Sequence, residues 1–317
     1  MTGSIRRMGI IGVGNVGSAA AFSVIHQGIC EELTLVDIKK EKAIGEAIDF
    51  ADSIGFLSSR TKVKSGELLD LKDCDVILIS VAGEPLKPGE TRLDLLKGTS
   101  AIIKDIIPPL KEAGFNGIYV VATNPCDVIT YLTWKLSGLP RNQVIGTGTA
   151  LDSSRFRKLL SEHLHVDSRS ITAYMLGEHG ESQFGAWSHV SVGGKPIREY
   201  IEDHKENIEA FNFDELSEHA KREGWNVFNR KGKTEYGIGN ALAFIAKSIL
   251  NDAYTVSPVS AVLVGEYGQN DLAIGVPGIL CREGLKQVIE LDLDEKEQAL
   301  FKNSASVIKD NIASVKL

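Results

Sequence analysis

Short, nearly continuous apolar runs alternate with helical patterns through the first half of the chain. Met8–Val13, Leu33–Val36, Val76–Val81, Ile118–Val121 and Gln143–Gly146 read as strands buried on both faces. Between them Val16–Gln27, Lys40–Phe50, Ser100–Ala113 and Asp127–Ser137 carry helical spacing, and Gly28, Gly114 and Gly138 stop three of them. Alternation of this kind implies right-handed crossovers and an α/β fold built on a doubly wound parallel sheet. The pattern changes near Gly146. Leu151–His165 reads as a long amphipathic helix, Ser170–Leu176 as a strand and Val190–Pro196 as a hairpin. Phe213–Asn229 and Ile238–Tyr254 read as helices, Val259–Val264 as a strand and Asp294–Val315 as a closing helix. The expected organisation is a Rossmann domain over residues 1–146 and an α+β substrate or catalytic domain over residues 147–317.

Composition narrows the class. The chain has 317 residues, 43% of them hydrophobic and 24% charged, which is globular rather than disordered or fibrous. A formal net charge of −7 offers no basic face for nucleic acid or an anionic membrane. Cys30, Cys74, Cys126 and Cys281 are scattered too widely for a zinc clamp or a disulfide framework, so no metal is expected. Met1–Arg7 runs directly into a strand pattern rather than a signal-peptide core, and no long uncharged apolar stretch follows. A cytoplasmic location is the expectation.

Gly12-Val13-Gly14-Asn15-Val16-Gly17 follows the first strand and opens the first helix. The first glycine permits a tight turn, the second lets backbone N–H groups approach a pyrophosphate, and the third allows close helix–strand packing. Asp37 closes the next strand about twenty residues past Gly17, where a carboxylate accepts from ribose hydroxyls and repels a 2′-phosphate. NAD rather than NADP is therefore the expected cofactor. The plainer alternatives are a glycine turn used for packing and an Asp37 that caps the following helix, and neither explains the joint spacing.

A second group of residues suits acid–base work on a carboxylic acid. His179 is set in Gly177-Glu178-His179-Gly180, and Asp152 and Arg155 lie upstream in Leu151-Asp152-Ser153-Ser154-Arg155. The imidazole can exchange a proton, an aspartate can fix its tautomer, and an arginine can fork onto a carboxylate. Taken singly, the histidine reads as a loop residue and the Asp–Arg pair as a helix-surface ion pair. The segment Ala82–Arg92, rich in Pro and Gly, lies at the carboxyl end of a strand of the sheet, where ligands bind and where such a loop can act as a lid delivering Arg92.

Together with Thr123-Asn124-Pro125, Gly148–Arg155 and Lys87–Arg92, these motifs make the whole chain resemble the L-lactate/malate dehydrogenase family, on the side of the bacterial L-lactate and L-2-hydroxyisocaproate dehydrogenases. The resemblance implies that His179 exchanges the proton, Asp152 holds it, Arg155 grips the substrate carboxylate and Arg92 polarises the carbonyl. It places Asn124, Thr234 and Leu86 in the substrate pocket, and Gly12, Gly14, Asn15, Val16, Gly17, Asp37, Ala82, Gly83 and Asn124 against the cofactor. Asn124 reads equally as a turn residue and Thr234 as a helix N-cap. The resemblance also implies a homotetramer, with a dimer as the alternative.

Two positions depart from the family pattern. Leu86 stands where malate dehydrogenases of the family carry Arg and most lactate dehydrogenases carry Gln, so an apolar wall faces the substrate side chain. Arg157 matches one cation of the fructose 1,6-bisphosphate site of allosteric relatives, while Thr172 replaces the histidine that completes it. The leading expectation is an NAD-dependent L-2-hydroxyacid dehydrogenase of the lactate type. A hydroxyisocaproate-type enzyme is the related alternative, and a non-catalytic NAD-binding protein is the alternative from another class. The charges Arg92, Asp152, Arg155 and His179 count against that last reading, since a scaffold has no need to bring them together.

Overall fold

A computed structural model describes residues 5–83 and 92–315, with the side chains of residues 92–95 outside that description. The first half contains strands β1 (Arg7–Ile11), β2 (Glu32–Val36), β3 (Lys62–Ser65), β4 (Val76–Ile79), β5 (Ile118–Val121) and β6 (Val144–Gly146). Its helices are α1 (Asn15–His26), α2 (Lys40–Ser53), α3 (Arg92–Glu112) and α4 (Cys126–Ser137). All four residues of β4 and of β5 are buried, as expected of parallel strands covered by helices on both faces.

The second half begins with α5 (Ala150–Leu164) and the short strands β7 (Ile171–Thr172), β8 (Met175–Leu176), β9 (Phe184–Gly185), β10 (Ser191–Val192) and β11 (Lys195–Pro196). Helices α6 (Ile197–Asp203), α7 (Phe213–Lys231) and α8 (Tyr236–Leu250) follow, then β12 (Thr255–Val264), β13 (Asn270–Cys281), β14 (Gly284–Val288) and α9 (Glu295–Ala313).

Among the described residues one sheet carries nine strands in the order β14-β13-β12-β6-β5-β4-β1-β2-β3. β1 to β6 pair in parallel, and β12 to β14 add an antiparallel extension through the register Gly146↔Ser260. Glycine matters at that junction, because a Cβ on Gly146 would lie 2.3 Å from Thr130 Oγ1 and 2.7 Å from Ser260 Cβ. The main core accordingly mixes both halves: Ile77, Leu78 and Val120 of the parallel strands share it with Leu242 and Ile245 of α8 and with Phe301 and Ile308 of α9.

Several expected boundaries move. The strand expected over Ser170–Leu176 is two short strands with different partners, β7 on β10 and β8 on β9. The helix expected from Ser100 begins at Arg92, and it includes Gly98, where a Cβ would meet nothing, on an open helix surface. The helix expected to run to Tyr254 ends at Leu250, after which Asp252 and Tyr254 take positive φ. β3, β13 and β14 carried no clear sequence signal, since β3 alternates lysines with Val and Ser at the sheet edge and β13 contains Pro277 with two glycines.

A second core, under α5 and α7, packs Phe156, Leu160, Met175, Ile197, Leu216 and Ala220. Phe156 is fully buried and meets Trp187 edge to face at 4.8 Å between ring centroids. Phe156→Ala is expected to cost about 3–5 kcal/mol. Urea denaturation of the two proteins checks this, and a loss below about 1 kcal/mol would show that this core collapses around the missing ring.

Candidate active site

The glycine loop is built as its spacing required. Gly12 takes φ +90°, and its N–H donates to the Val36 carbonyl at 2.8 Å while its own carbonyl accepts from Ser80 Oγ at 2.8 Å. A Cβ on Gly17 would lie 1.9 Å from the Gly12 carbonyl oxygen, so only glycine lets α1 approach the strand so closely. Gly14 is the N-cap of α1 and contributes no side-chain cap, and a Cβ there would face open space. This open, donor-rich end of α1 fits a dinucleotide diphosphate.

Asp37 braces the loop from the end of β2. Its Oδ2 accepts from the Val13 N–H at 2.8 Å and its Oδ1 from the Lys39 N–H at 2.9 Å. Lys39 is the N-cap residue of α2 and the helix has no side-chain cap, so Asp37 does not cap it, and its carboxylate faces the loop. Ala82 and Gly83 continue from β4, with the Val81 carbonyl held by Thr123 Oγ1 at 2.9 Å. Leu86 lies outside the described residues. Arg92 is the first residue of α3, and its side chain lies outside them as well.

His179, Asp152 and Arg155 come together. Asp152, 1% exposed on the first turn of α5, accepts from Arg155 Nη1 at 2.7 Å on Oδ1 and faces His179 Nδ1 at 2.7 Å with Oδ2. One buried carboxylate thus takes a cation from its own helix on one oxygen and an imidazole from the β8–β9 loop on the other. Arg155 keeps further N–H donors for a ligand, and Gly224 of α7 makes room for it, since a Cβ there would sit 3.3 Å from Nη1.

The loop carrying His179 is pinned from below. Gly177, at φ +96°, exchanges hydrogen bonds with Gly275 of β13 at 3.0 and 2.9 Å, and a Cβ on Gly177 would lie 2.5 Å from Ser304 Oγ. The His179 N–H donates to Asp127 Oδ2 at 2.7 Å, and Ser260 Oγ donates to Asp127 Oδ1 at 2.5 Å. Sequence reasoning missed Asp127 and Ser260. The available signal was an acid two residues after Asn124-Pro125, which passed as an ordinary first-turn carboxylate of α4.

Electrostatics favour a protonated His179. Burial lowers its pKa, but the Asp152 charge and hydrogen bond, followed by the Asp127 charge, outweigh that and raise it above the ordinary imidazole value. Burial pushes the Asp127 carboxyl up to about 6 against the pull of Ser260 and His179. Burial also raises Asp152, yet His179 and then Arg155 carry it below the usual carboxylate range. The imidazolium therefore contributes stability that is complete below the ordinary histidine range and is lost as pH rises through the raised value.

Asn124 precedes Pro125 across a cis peptide and is exposed at the start of α4. Thr234 is half-buried in the α7–α8 linker, and the N-cap of α8 is Glu235, so capping does not explain the threonine. Arg157 is half-buried and donates to the Ala173 carbonyl at 3.3 Å, while Thr172 is exposed on β7.

A dinucleotide cradle together with a protonatable histidine held by a buried aspartate defines the class as an NAD-dependent oxidoreductase. Residues 6–146 match the lactate/malate dehydrogenase NAD binding domain, and residues 149–316 match the lactate/malate dehydrogenase alpha/beta C-terminal domain. L-lactate dehydrogenase 3 of Bacillus cereus is 51% identical, covering 99% of each chain. L-lactate dehydrogenase 2 of Listeria monocytogenes serovar 1/2a is 47% identical, covering 98% of this chain and 99% of that one. The crystal structure of the minor L-lactate dehydrogenase from Enterococcus mundtii in its ligands-bound form superposes with a TM-score of 0.95 at 43% identity, over 99% of this chain and 100% of that one. The chain belongs to the lactate/malate dehydrogenase family, whose members interconvert 2-hydroxy and 2-oxo acids with NAD.

Asp152→Asn removes the anion that stabilises the imidazolium. The pH above which 2-oxo acid reduction declines is expected to move down, with turnover reduced about 10²-fold or more. A pH–rate profile of the variant checks this, and an unmoved upper limb would take Asp152 out of the role.

Proposed function

We propose that this chain is an L-2-hydroxyacid dehydrogenase of the L-lactate type, in which His179 is the acid–base residue, with substrate and cofactor domains at residues 147–317 and 1–146. The observation that carries the reading is the Asp152 carboxylate, buried and shared between Arg155 and His179 at 2.7 Å each. The Gly12–Gly17 loop and Asp37 would hold the dinucleotide, which in its reduced form would supply the hydride for the substrate carbonyl carbon. His179, its Nδ1 held by Asp152, presents Nε2 to the carbonyl oxygen, donates a proton as the alcohol forms and recovers it in the reverse reaction. Arg155 takes the substrate carboxylate through its remaining N–H donors, a planar fork that lysine does not provide. Arg92 is assigned the polarisation of the carbonyl, and Asn124 and Thr234 the walls of the pocket, with Asn124, Ala82 and Gly83 also on the cofactor side.

His179→Ala is expected to lower turnover by about 10²- to 10⁴-fold while NADH binding, measured by fluorescence titration, is kept. Unchanged turnover would remove the assignment.

Leu86 supports a substrate side chain without charge. An apolar wall leaves a second carboxylate unpaired, so oxaloacetate is a poor substrate and alkyl 2-oxo acids are accepted. This favours a second reading, the hydroxyisocaproate type, within the same chemistry. Arg157 without a partnering histidine at position 172 provides one cation for two phosphates, which supports weak or no activation by fructose 1,6-bisphosphate.

The assembled form is assigned as a homotetramer, or a dimer, of this chain. Helices α1, α2 and α8 leave Phe22, Ile44, Ile48 and Phe244 exposed, which supports burial against another copy. Among the described residues no helix is long and apolar enough to cross a membrane. The four cysteines are all free and buried, which supports a reducing compartment such as the cytoplasm.

A panel of 2-oxo acids of increasing side-chain length, assayed with NADH, checks the role of Leu86. Reduction of 2-oxoisocaproate is expected to be at least comparable with that of pyruvate in kcat/KM, and a preference for pyruvate above about a hundredfold would refute the apolar wall.

A further inference from the structure

The linker between α7 and α8 reads Lys231-Gly232-Lys233-Thr234-Glu235, with Gly232 at φ +77° ending α7. It carries Lys233 across to the glycine loop, where Nζ lies 3.2 Å from Oδ1 of Asn15. Asn15 is the first residue of α1, a helix whose N-cap is a glycine and whose first turn holds no carboxylate. The N–H donors of that turn and the positive end of the helix dipole are therefore left for a ligand. An ammonium beside them adds a full positive charge at the same place.

The two lysines of the linker are not equivalent. Lys231 lies 2.8 Å from Glu235 Oε1 and 4.2 Å from the centroid of the Tyr236 ring. Lys233 is 3.5 Å from the other oxygen, and its side chain is 49% exposed. One carboxylate thus faces two ammonium groups and is held more closely by Lys231. The nearer contact of Lys233 is a neutral amide oxygen, which an anionic oxygen outcompetes because a charge-assisted hydrogen bond is stronger.

We propose that Lys233 is a cation of the cofactor diphosphate subsite, supplied to the Rossmann half of the chain from the linker that also carries Thr234. When the dinucleotide binds, its ammonium exchanges Asn15 Oδ1 for a phosphate oxygen. The inference rests on the reading of Gly12–Gly17 as the NAD site.

ADP-ribose carries the diphosphate without nicotinamide, and adenosine carries neither, so the pair isolates the contribution of the phosphates. Dissociation constants of ADP-ribose, NADH and adenosine are measured by calorimetry for the full-length wild type, Lys233→Ala and Lys233→Arg. Lys233→Ala is expected to weaken ADP-ribose and NADH by about fivefold, the upper end for a half-exposed ion pair, and to change adenosine by less than about twofold. The salt dependence of ADP-ribose binding should flatten in Lys233→Ala, and Lys233→Arg should retain most of the affinity. Equal ADP-ribose affinity in wild type and Lys233→Ala overturns the proposal. So does an equal loss for adenosine, which would make Lys233 a brace for Asn15. A wild type that binds adenosine but not ADP-ribose would overturn the diphosphate reading of the glycine loop, and the proposal with it.

Discussion

The structure around His179 depends on one buried carboxylate. Asp127 is 2% exposed at the start of α4, and its two oxygens take Ser260 from β12 and the backbone N–H of His179 from the β8–β9 loop. Three segments far apart in the chain meet at those two hydrogen bonds. Removing either donor would leave an acceptor in a dry interior, which costs far more than an exposed hydrogen bond contributes. The loop is consequently held by its backbone, and the imidazole makes its side-chain hydrogen bond to Asp152.

Asp152 then orders the side chains. Its position on the first turn of α5 places Arg155 one turn further along the same face, so one carboxylate holds both the Arg155 guanidinium and the His179 ring. Asp127 and Asp152 contribute differently to His179: the first holds the backbone N–H and adds a more distant charge, the second contacts the ring and contributes more to raising its pKa. A buried acid next to an imidazole would be costly without Arg155 on its other oxygen.

Glycine placement ties this site to the sheet. Gly177 and Gly275 exchange hydrogen bonds at a separation that a side chain on Gly275 would forbid, while one on Gly177 would run into Ser304, which fixes the His179 loop on β13. β13 pairs with β12, and β12 with β6, so the loop is registered against the strands that carry the cofactor cradle. The antiparallel extension is thus the element that positions the second half of the site relative to the first.

The parallel strands, the glycine loop and Asp37 were legible in the sequence because each depends on neighbours close along the chain: an apolar run, a turn that needs glycine, an acid at the next strand end. The His179, Asp152 and Arg155 set was legible as chemistry, with the helical spacing of Asp152 and Arg155 already implying a shared face. Asp127, Ser260 and Lys233 were not, since each acquires its meaning from a partner more than fifty residues away, and a first-turn aspartate, a strand serine and a linker lysine look ordinary where they stand. The edge strand β3 and the long β13 escaped for a related reason, because their pairing comes from the sheet they join rather than from their own alternation. By itself, then, the sequence determined the dinucleotide fold and the cofactor, which rest on local backbone geometry and residue chemistry, and it singled out His179 as the candidate acid–base residue. Tertiary structure alone decided how nine strands join in one sheet and which buried carboxylate holds the backbone of the histidine loop, because those contacts exist only when distant segments are packed out of water.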